Sequence, residues 1–161
     1  MTIKRLFYPD LSVDHIRDIP IDILEAKQIR GVIFDLDNTI IAWGSANMDG
    51  EMIKWLRLLE KRGFRLCIVS NSMKKRVREI AQSINIPYIA RAGKPLRSGF
   101  CRALQTLDLH GNEVAVVGDQ RFTDIVGGNR IGAFTILVNP LGAKEFFATK
   151  ITRSLVKLLF P

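Results

Sequence analysis

Two aspartates, Asp35 and Asp37, come directly after an apolar run in the segment GVIFDLDNT, residues 31–39. An apolar run of this kind is typical of a buried strand, and burying an unpaired carboxylate costs free energy. The pair therefore predicts either a compensating cation or a reaction that uses both groups. One carboxylate can act as a nucleophile while the other, two residues on, transfers protons.

Polar and charged residues follow the other apolar runs of the chain in the same way. They are Thr39, Ser70, Asn71, Lys94, Asp119 and Asp124. Carboxylates that gather in one place repel each other and favour a divalent cation, and oxygen ligands favour Mg²⁺. Ser70, the backbone amides after the second strand and Lys94 can hold the oxygens of a phosphate. Asp35 can then attack the phosphorus in line, and Asp37 can protonate the leaving oxygen.

These residues need a scaffold that brings distant segments together, and the apolar patterning supplies one. The predicted strands are 31–35, 65–70, 88–90, 113–119 and 133–138, and the predicted helices are 51–62, 73–84, 96–107, 122–130 and 143–160. Near-continuous apolar strands that alternate with helices indicate a parallel sheet covered on both faces. We therefore expect a doubly wound, three-layer α/β/α fold, in which ligands bind beyond the carboxyl ends of the strands.

The order of the segments DLDNT, SNS, GK and GDQRFTD, between residues 35 and 124, resembles the haloacid dehalogenase superfamily of phosphohydrolases. The resemblance implies that Asp35 is the nucleophile and Asp37 the general acid and base. It also implies a Mg²⁺ ion held by the Asp35 carboxylate, the main-chain carbonyl of Asp37 and Asp119. Ser70, Asn71 and Lys94 match the phosphate-binding positions. Asp124 and Thr39 are expected to lie behind the groups that touch the metal and the phosphate.

Members of that superfamily often carry a cap domain inserted between these motifs. Here 33 positions separate Asp37 from Ser70 and 24 separate Ser70 from Lys94, so neither interval has room for a folded cap. Without a cap the site is open, which suits a large substrate, one presented on a surface, or a site that another subunit screens. We expect one domain over residues 1–161, with residues 1–30 as an extension that packs on the core and 143–161 as an amphipathic helix.

Within the capless group, the chain is similar to the YqeG family, relatives of the phosphatidylglycerophosphate phosphatases. The segments that carry this similarity are FYPDLSV at 7–13, residues 16–19, Trp43, the four motifs above and residues 149–153. The resemblance implies that the substrate is phosphatidylglycerophosphate, an anionic phospholipid, at the cytoplasmic face of the membrane. Phosphatase action on a soluble metabolite, such as a sugar phosphate or nucleotide, stays open as an alternative.

Charge supports an anionic partner. Residues 54–102 contain thirteen Lys and Arg against two Glu, a balance of +11 in a chain whose net charge is +8. Such a field favours phosphorylated metabolites, anionic lipid surfaces or nucleic acid. A basic RNA- or ribosome-associated protein with a vestigial site is therefore a further alternative, although the aromatic stacking motifs of RNA readers are missing and we expect no specific nucleic acid.

Composition and the N-terminal segment lead us to expect a cytoplasmic protein. The sequence has no apolar stretch near the ~20 residues that a membrane span requires, and its start lacks a signal-peptide core. Its two cysteines have no metal-binding spacing and are expected to be reduced. A lipid substrate would bring the protein to the inner face of the membrane as a peripheral enzyme. The oligomeric state is left open.

Overall fold

The computed structural model describes residues 3–142, and within them six parallel strands form one sheet. The strands are β1 (Leu11–Val13), β2 (Gly31–Phe34), β3 (Arg65–Val69), β4 (Tyr88–Ile89), β5 (Val114–Gly118) and β6 (Phe134–Val138). Their order across the sheet is β1-β6-β5-β2-β3-β4. The chain builds outward from β2 through β3 to β4 and then returns to the other side of β2 with β5. β2 therefore lies at the point where strand order reverses, and this is where ligands bind in such sheets.

Helices cover both faces of the sheet. They are α1 (Ile21–Ala26), α2 (Gly50–Lys61), α3 (Lys74–Ser83), α4 (Arg97–Leu107) and α5 (Val126–Arg130). The larger core cluster joins one face of the central strands to buried residues of α1, α2 and α3, such as Leu24, Leu59 and Val77. The smaller cluster joins the opposite face to α4 through Phe100 and Ala103. The three layers follow from this division of the core.

Alternation along the strands explains why both faces are apolar. In β2, Val32 and Phe34 belong to the larger cluster, whereas Ile33 belongs to the smaller one. Successive side chains of a strand point to opposite faces, so a strand covered on both sides needs apolar residues throughout. In β2 and β5 every residue is buried. The predicted α/β fold with a parallel sheet is confirmed.

The structure adds elements that the sequence did not predict. β1, within the predicted N-terminal extension, pairs with β6 at the edge of the sheet, with Leu11 opposite Ile136. Short 3₁₀ turns occupy Ile3–Phe7, Ile16–Asp18 and Gly111–Glu113. The predicted helix 122–130 begins as a π turn over Arg121–Ile125 and continues as α5. The predicted helix 143–160 lies outside the described residues.

The intervals between the motifs contain no additional domain. Between Asp37 and Ser70 the chain forms a loop over residues 38–49, called here the flap, followed only by α2 and β3. Between Ser70 and Lys94 it forms α3 and β4. Both intervals are fully described, and neither contains a cap domain, as we expect from their lengths. Among residues 3–142, none of the helices has the length and apolar composition needed to cross a membrane.

Candidate active site

The residues singled out from the sequence meet at the carboxyl ends of the three central strands. Asp35 follows β2, and its backbone N–H donates to the carbonyl oxygen of Val117 in β5 at 2.9 Å. The register sets Phe34 opposite both Ile68 in β3 and Val117, so all three strands end at the same level. The loops that follow them therefore open into one crevice.

A buried lysine joins two of the carboxylates. Lys94 Nζ lies 2.6 Å from Asp35 Oδ1 and 2.7 Å from Asp124 Oδ1, and its side chain is only 3% exposed. Burial opposes the charge on Lys94, but the Asp124 and Asp35 carboxylates outweigh it and raise the pKa of the ammonium group above its ordinary value. Lys94 therefore stays protonated where it faces Asp35.

Asp35 is itself in a low-dielectric position. Burial raises the pKa of Asp35 to about 6, with a further increase from the Asp124 carboxylate, while Lys94 acts in the opposite direction. Its second oxygen, Oδ2, accepts from Thr39 Oγ1 at 3.2 Å. A carboxylate held by two donors and almost closed off from water has a fixed orientation, which an in-line nucleophile needs.

Asp119 adds the third carboxylate. Burial, together with the negative charges of Asp35 and Asp124, raises the pKa of Asp119 to about 8. Thr39 Oγ1 lies 3.3 Å from Asp119 Oδ1 and so connects this group to Asp35 as well. Ligand atoms of Asp35, Asp119 and Asp124 all lie within 4.8 Å of one another.

These three carboxylates fit a divalent metal ion. Their donors are all oxygen, the type that Mg²⁺ prefers, and Lys94 supplies only one positive charge against three negative ones. Burial is the main cause of the raised pKa values of Asp35 and Asp119, the neighbouring carboxylates add to it, and a cation at this position would favour the ionised form of both groups. Asp124 belongs to the cluster, but Lys94 occupies its Oδ1 and the Gln120 N–H donates to its Oδ2 at 3.1 Å.

Gly118 explains why a glycine precedes Asp119. A Cβ at Gly118 would lie 2.3 Å from the carboxyl carbon of Asp124, closer than any side chain tolerates. The absence of a side chain there lets the buried Asp124 carboxylate, 1% exposed, fold back against the end of β5 and reach Lys94. The glycine of GDQRFTD therefore creates the space for the last aspartate of the same segment.

Asp37 faces the other way, toward α3 and the flap. Arg76 donates to Asp37 Oδ1 from Nη2 at 2.6 Å and from Nε at 3.1 Å, and Ser72 Oγ donates to Oδ2 at 2.5 Å. Arg76 Nη1 also donates to the carbonyl oxygen of Ser45 in the flap at 2.9 Å. From the sequence, Arg76 counts only among the basic residues of 54–102, and neither Arg76 nor Ser72 was assigned as a partner of Asp37. The carboxylate of Asp37 is thus separate from the three-carboxylate cluster, and metal binding through its main-chain carbonyl stays a prediction.

Ser70 and Asn71 organise the loop after β3. Ser70 is buried, and its Oγ accepts from the N–H of Ser72 at 3.1 Å. The Asn71 side chain accepts from the Lys94 N–H at 2.8 Å and donates to the Lys94 carbonyl oxygen at 3.1 Å. The structure therefore places Asn71 as a clamp on the main chain of Lys94, and its predicted role in phosphate binding stays a prediction.

A cavity of about 130 Å³ lies between these groups. Its lining residues are Asp35, Asp37, Trp43, Ser70, Asn71, Ser72, Lys94, Gln120 and Thr123. Two larger surface cavities, of about 660 and 300 Å³, contain none of the three clustered carboxylates. We place the chemistry in the small cavity because the carboxylates, the lysine and the serine hydroxyls converge there.

Comparison with known proteins assigns the family. A family model described as haloacid dehalogenase-like hydrolase matches residues 42–132. The probable phosphatase YqeG of Bacillus subtilis is 36% identical over 151 residues, which cover 94% of this chain and 88% of that protein. The chain belongs to the haloacid dehalogenase-like hydrolase family. The resemblance drawn from the four motifs is confirmed, and so is the expectation of an enzyme of the phosphatase type.

Two further relatives extend the comparison of this haloacid dehalogenase-like phosphatase. The phosphatidylglycerophosphate phosphatase 1 of Arabidopsis thaliana is 29% identical over 172 residues, and the chain spans about half of its length, 47%. A haloacid dehalogenase-superfamily hydrolase from Ehrlichia chaffeensis superposes with a TM-score of 0.57 at 19% identity, over 82% of this chain and 98% of that one. The structural likeness supports the fold.

Proposed function

We propose that the protein is a Mg²⁺-dependent phosphatase that removes the terminal phosphate of phosphatidylglycerophosphate through an aspartyl-phosphate on Asp35. The observation that supports the chemistry is the joining of Asp35, Lys94, Asp119 and Asp124 in one buried cluster beside a second, separate aspartate. Ser72 and Arg76 hold the Asp37 carboxylate apart from that cluster, so the nucleophile and the proton carrier are separate groups.

In the first step, a carboxylate oxygen of Asp35 attacks the phosphorus, a new P–O bond forms, and the bond to the leaving oxygen breaks. Asp37 gives its proton to that oxygen, so the product leaves as an alcohol. Lys94, fixed 2.6 Å from Asp35, and the Ser70 hydroxyl then face the phosphoryl oxygens from the wall of the cavity. Thr39 keeps the other oxygen of Asp35 in place.

In the second step, Asp37 takes a proton from a water molecule that attacks the phosphorus. The bond between phosphorus and the Asp35 oxygen breaks, inorganic phosphate leaves, and Asp35 returns as a carboxylate. A Mg²⁺ ion held by Asp35, Asp119 and the main chain at Asp37 would offset the charge of the phosphoryl oxygens. Asp124 accepts a hydrogen bond from Lys94 Nζ, which fixes the lysine side chain, and its negative charge keeps the ammonium group protonated.

The lipid substrate is supported by three observations. The Arabidopsis relative is named for phosphatidylglycerophosphate, and the YqeG relative, named as a probable phosphatase, covers nearly the whole chain. The described segments between the motifs contain no cap domain that would cover the cavity. Residues 54–102 carry the charge balance of +11 that an anionic surface would attract.

A substrate panel tests the proposal. Phosphatidylglycerophosphate in mixed micelles, glycerol 3-phosphate, a sugar phosphate and a nucleotide are each incubated with the protein, in Mg²⁺ and in a chelator, and phosphate release is measured. We expect turnover that requires Mg²⁺ and favours the lipid. Rapid turnover of the soluble esters alone would overturn the lipid substrate and leave the phosphatase chemistry standing, whereas activity in chelator would overturn the metal dependence.

A further inference from the structure

Three large apolar side chains are exposed on the loops that carry residues of the active-site cavity. Trp43 is 64% exposed, Met73 61% and Leu96 60%. Trp43 lines the cavity itself, Met73 follows the lining residue Ser72, and Leu96 lies two positions after the lining residue Lys94. They come from three separate loops, each beyond the carboxyl end of a strand. We call these three residues the apolar rim.

Helix capping does not account for Met73 and Leu96, two members of the apolar rim. Met73 and Leu96 occupy the N-cap positions of α3 and α4, and neither helix has a side-chain cap hydrogen bond. Ser, Thr, Asp and Asn are the residues that stabilise such positions, because their oxygens accept from the first free N–H groups of the helix. Two apolar residues at two cap positions, both turned to solvent, forgo that stabilisation. Exposed apolar residues that surround a site mark a surface that contacts another apolar phase.

Positive charge surrounds the apolar rim. The loops and first helical turns beside the cavity expose five basic residues, which are Lys74, Lys75, Arg91, Arg97 and Arg121. The guanidinium Nη2 of Arg91 lies 3.4 Å from Met73 Sδ, so apolar and basic groups are interleaved. In residues 42–49, 71–75, 91–97 and 120–123, Asp49 is the one exposed acidic residue. The charge complements an anionic surface.

We propose that the apolar rim and these basic residues dock the protein on an anionic lipid bilayer, with the mouth of the cavity facing the membrane. Apolar side chains would enter the interface between headgroups and acyl chains, while Lys and Arg contact lipid phosphates. The inference rests on the proposed function, because a lipid phosphomonoester reaches the open cavity only from that side. It adds the orientation of the enzyme and the residues that anchor it.

Trp43 provides a direct probe of this contact. The other tryptophan, Trp55, is buried at 8% exposure and packs edge-on against Phe34, so a Trp55→Phe variant leaves Trp43 as the single reporter. Vesicles of phosphatidylglycerol that carry brominated acyl chains should quench its fluorescence and shift it to the blue. Vesicles of phosphatidylcholine should do neither, and added salt should reverse the effect. Absence of quenching by the anionic vesicles, or equal quenching by neutral ones, would overturn the proposal.

A pair of matched double variants tests the anchoring residues in the full chain. Met73→Ser with Leu96→Ser should weaken sedimentation with phosphatidylglycerol vesicles by roughly tenfold or more, since two apolar side chains no longer leave water. Ile23→Ser with Leu58→Ser removes two exposed apolar side chains on α1 and α2, away from the cavity, and should leave vesicle binding unchanged. Equal losses in both variants, or none in the first, would contradict the assigned surface.

The binding assays contain no hydrolysis step, so they fail independently of the proposed function. Asp35→Asn should bind anionic vesicles like the unmodified protein while releasing no phosphate. Hydrolysis of the micellar lipid without binding to vesicles would support the proposed function and overturn the docking surface. Vesicle binding without lipid hydrolysis would retain the docking surface and overturn the substrate.

Discussion

The two aspartates of the DLD segment occupy two halves of the site that differ in kind. The inner half consists of Asp35, Thr39, Lys94, Asp119 and Asp124, and its ion pairs are buried among groups from three loops. The outer half consists of Asp37, Ser72 and Arg76. Asp37 is 14% exposed, close to the 11% of Asp35, but its partner Arg76 is 27% exposed against 3% for Lys94. The charged side chains of the inner half are held in place by burial, whereas those of the outer half are held by contacts with α3 and the flap.

This difference separates two chemical tasks. A nucleophile benefits from a fixed orientation and exclusion of water, which the inner half provides. A group that gives and later takes a proton must exchange with the leaving group and with water, so it needs the more open position. Substitutions in each half test this division.

Replacing the inner nucleophile should have the largest effect. We expect Asp35→Asn to lower turnover at least about a thousandfold, because an amide oxygen cannot form the phosphoryl-enzyme. Phosphate release with Mg²⁺ measures the loss, and circular dichroism verifies the fold. Asp108→Asn, at a residue whose side chain is 99% exposed, is the matched control and should retain full activity. Substantial activity in Asp35→Asn would show that another group attacks phosphorus.

Removing the buried cation should destabilise the fold itself. Lys94→Met leaves Asp35 and Asp124 buried without their shared partner, and we expect the free energy of unfolding in chelator to fall by about 3–5 kcal/mol. Urea denaturation measures it. Lys54→Met breaks an exposed pair with Glu51 and should cause no measurable change. Similar small effects for both variants would contradict the view that burial fixes the inner half.

The outer half should respond to the nature of the leaving group. Without Arg76, Asp37 loses the donor that orients it, so Arg76→Ala should slow hydrolysis of an alkyl phosphate by about 10- to 100-fold. Hydrolysis of p-nitrophenyl phosphate, whose leaving group needs no proton, should slow by less than about threefold. Arg78→Ala, an exposed arginine two positions along α3, is the control. Equal losses on both substrates would assign Arg76 to phosphate binding or to folding instead.

The smallest predicted effect separates metal binding from nucleophilic attack within the inner half. Asp119→Asn keeps the hydrogen-bonding shape but removes one charged oxygen ligand, so the Mg²⁺ concentration for half-maximal activity should rise at least about tenfold. A Mg²⁺ titration of phosphate release measures the shift. Asp14→Asn, an exposed aspartate that contacts Asn139, should leave the titration unchanged. An unchanged Mg²⁺ requirement in Asp119→Asn would exclude this residue as a ligand.

Much of the fold could be predicted because its central strands appear in the sequence as apolar runs. β2 and β5 are buried at every position, so each reads as an apolar run in the sequence. β1 does not, since it has three residues, one of them exposed, and its only described partner is β6. The π turn at Arg121–Ile125 was predicted as part of a helix, because side-chain patterning does not distinguish an i+5 from an i+4 ladder.

The inner half of the site and Asp37 could be predicted, whereas the partners of Asp37 in the outer half could not. Asp35, Lys94 and Asp119 follow strands whose carboxyl ends must converge in a parallel sheet. Arg76 stands in a run of four basic residues between 74 and 78, and charge alone does not distinguish among them. Its spacing does not distinguish it either, since Arg76 precedes the buried Ile80 by four positions, while the exposed Lys74 precedes the buried Val77 by three.

The pairing of β1 with β6 has a consequence for how the protein is synthesised. β2 and β3 can pair soon after both leave the ribosome, but β1 has no strand to join until β6, 125 residues later, has been made. During that interval an early apolar segment waits unpaired, and β5 presents an open edge of the kind that recruits other chains. Asp10 accepts hydrogen bonds from the Thr135 N–H and Oγ1, and these bonds stabilise the late pairing of β1 with β6. A chain whose translation ends before β6 would therefore contain its nucleophile but leave the edge of β5 unpaired. Chaperones and proteases recognise such exposed edges.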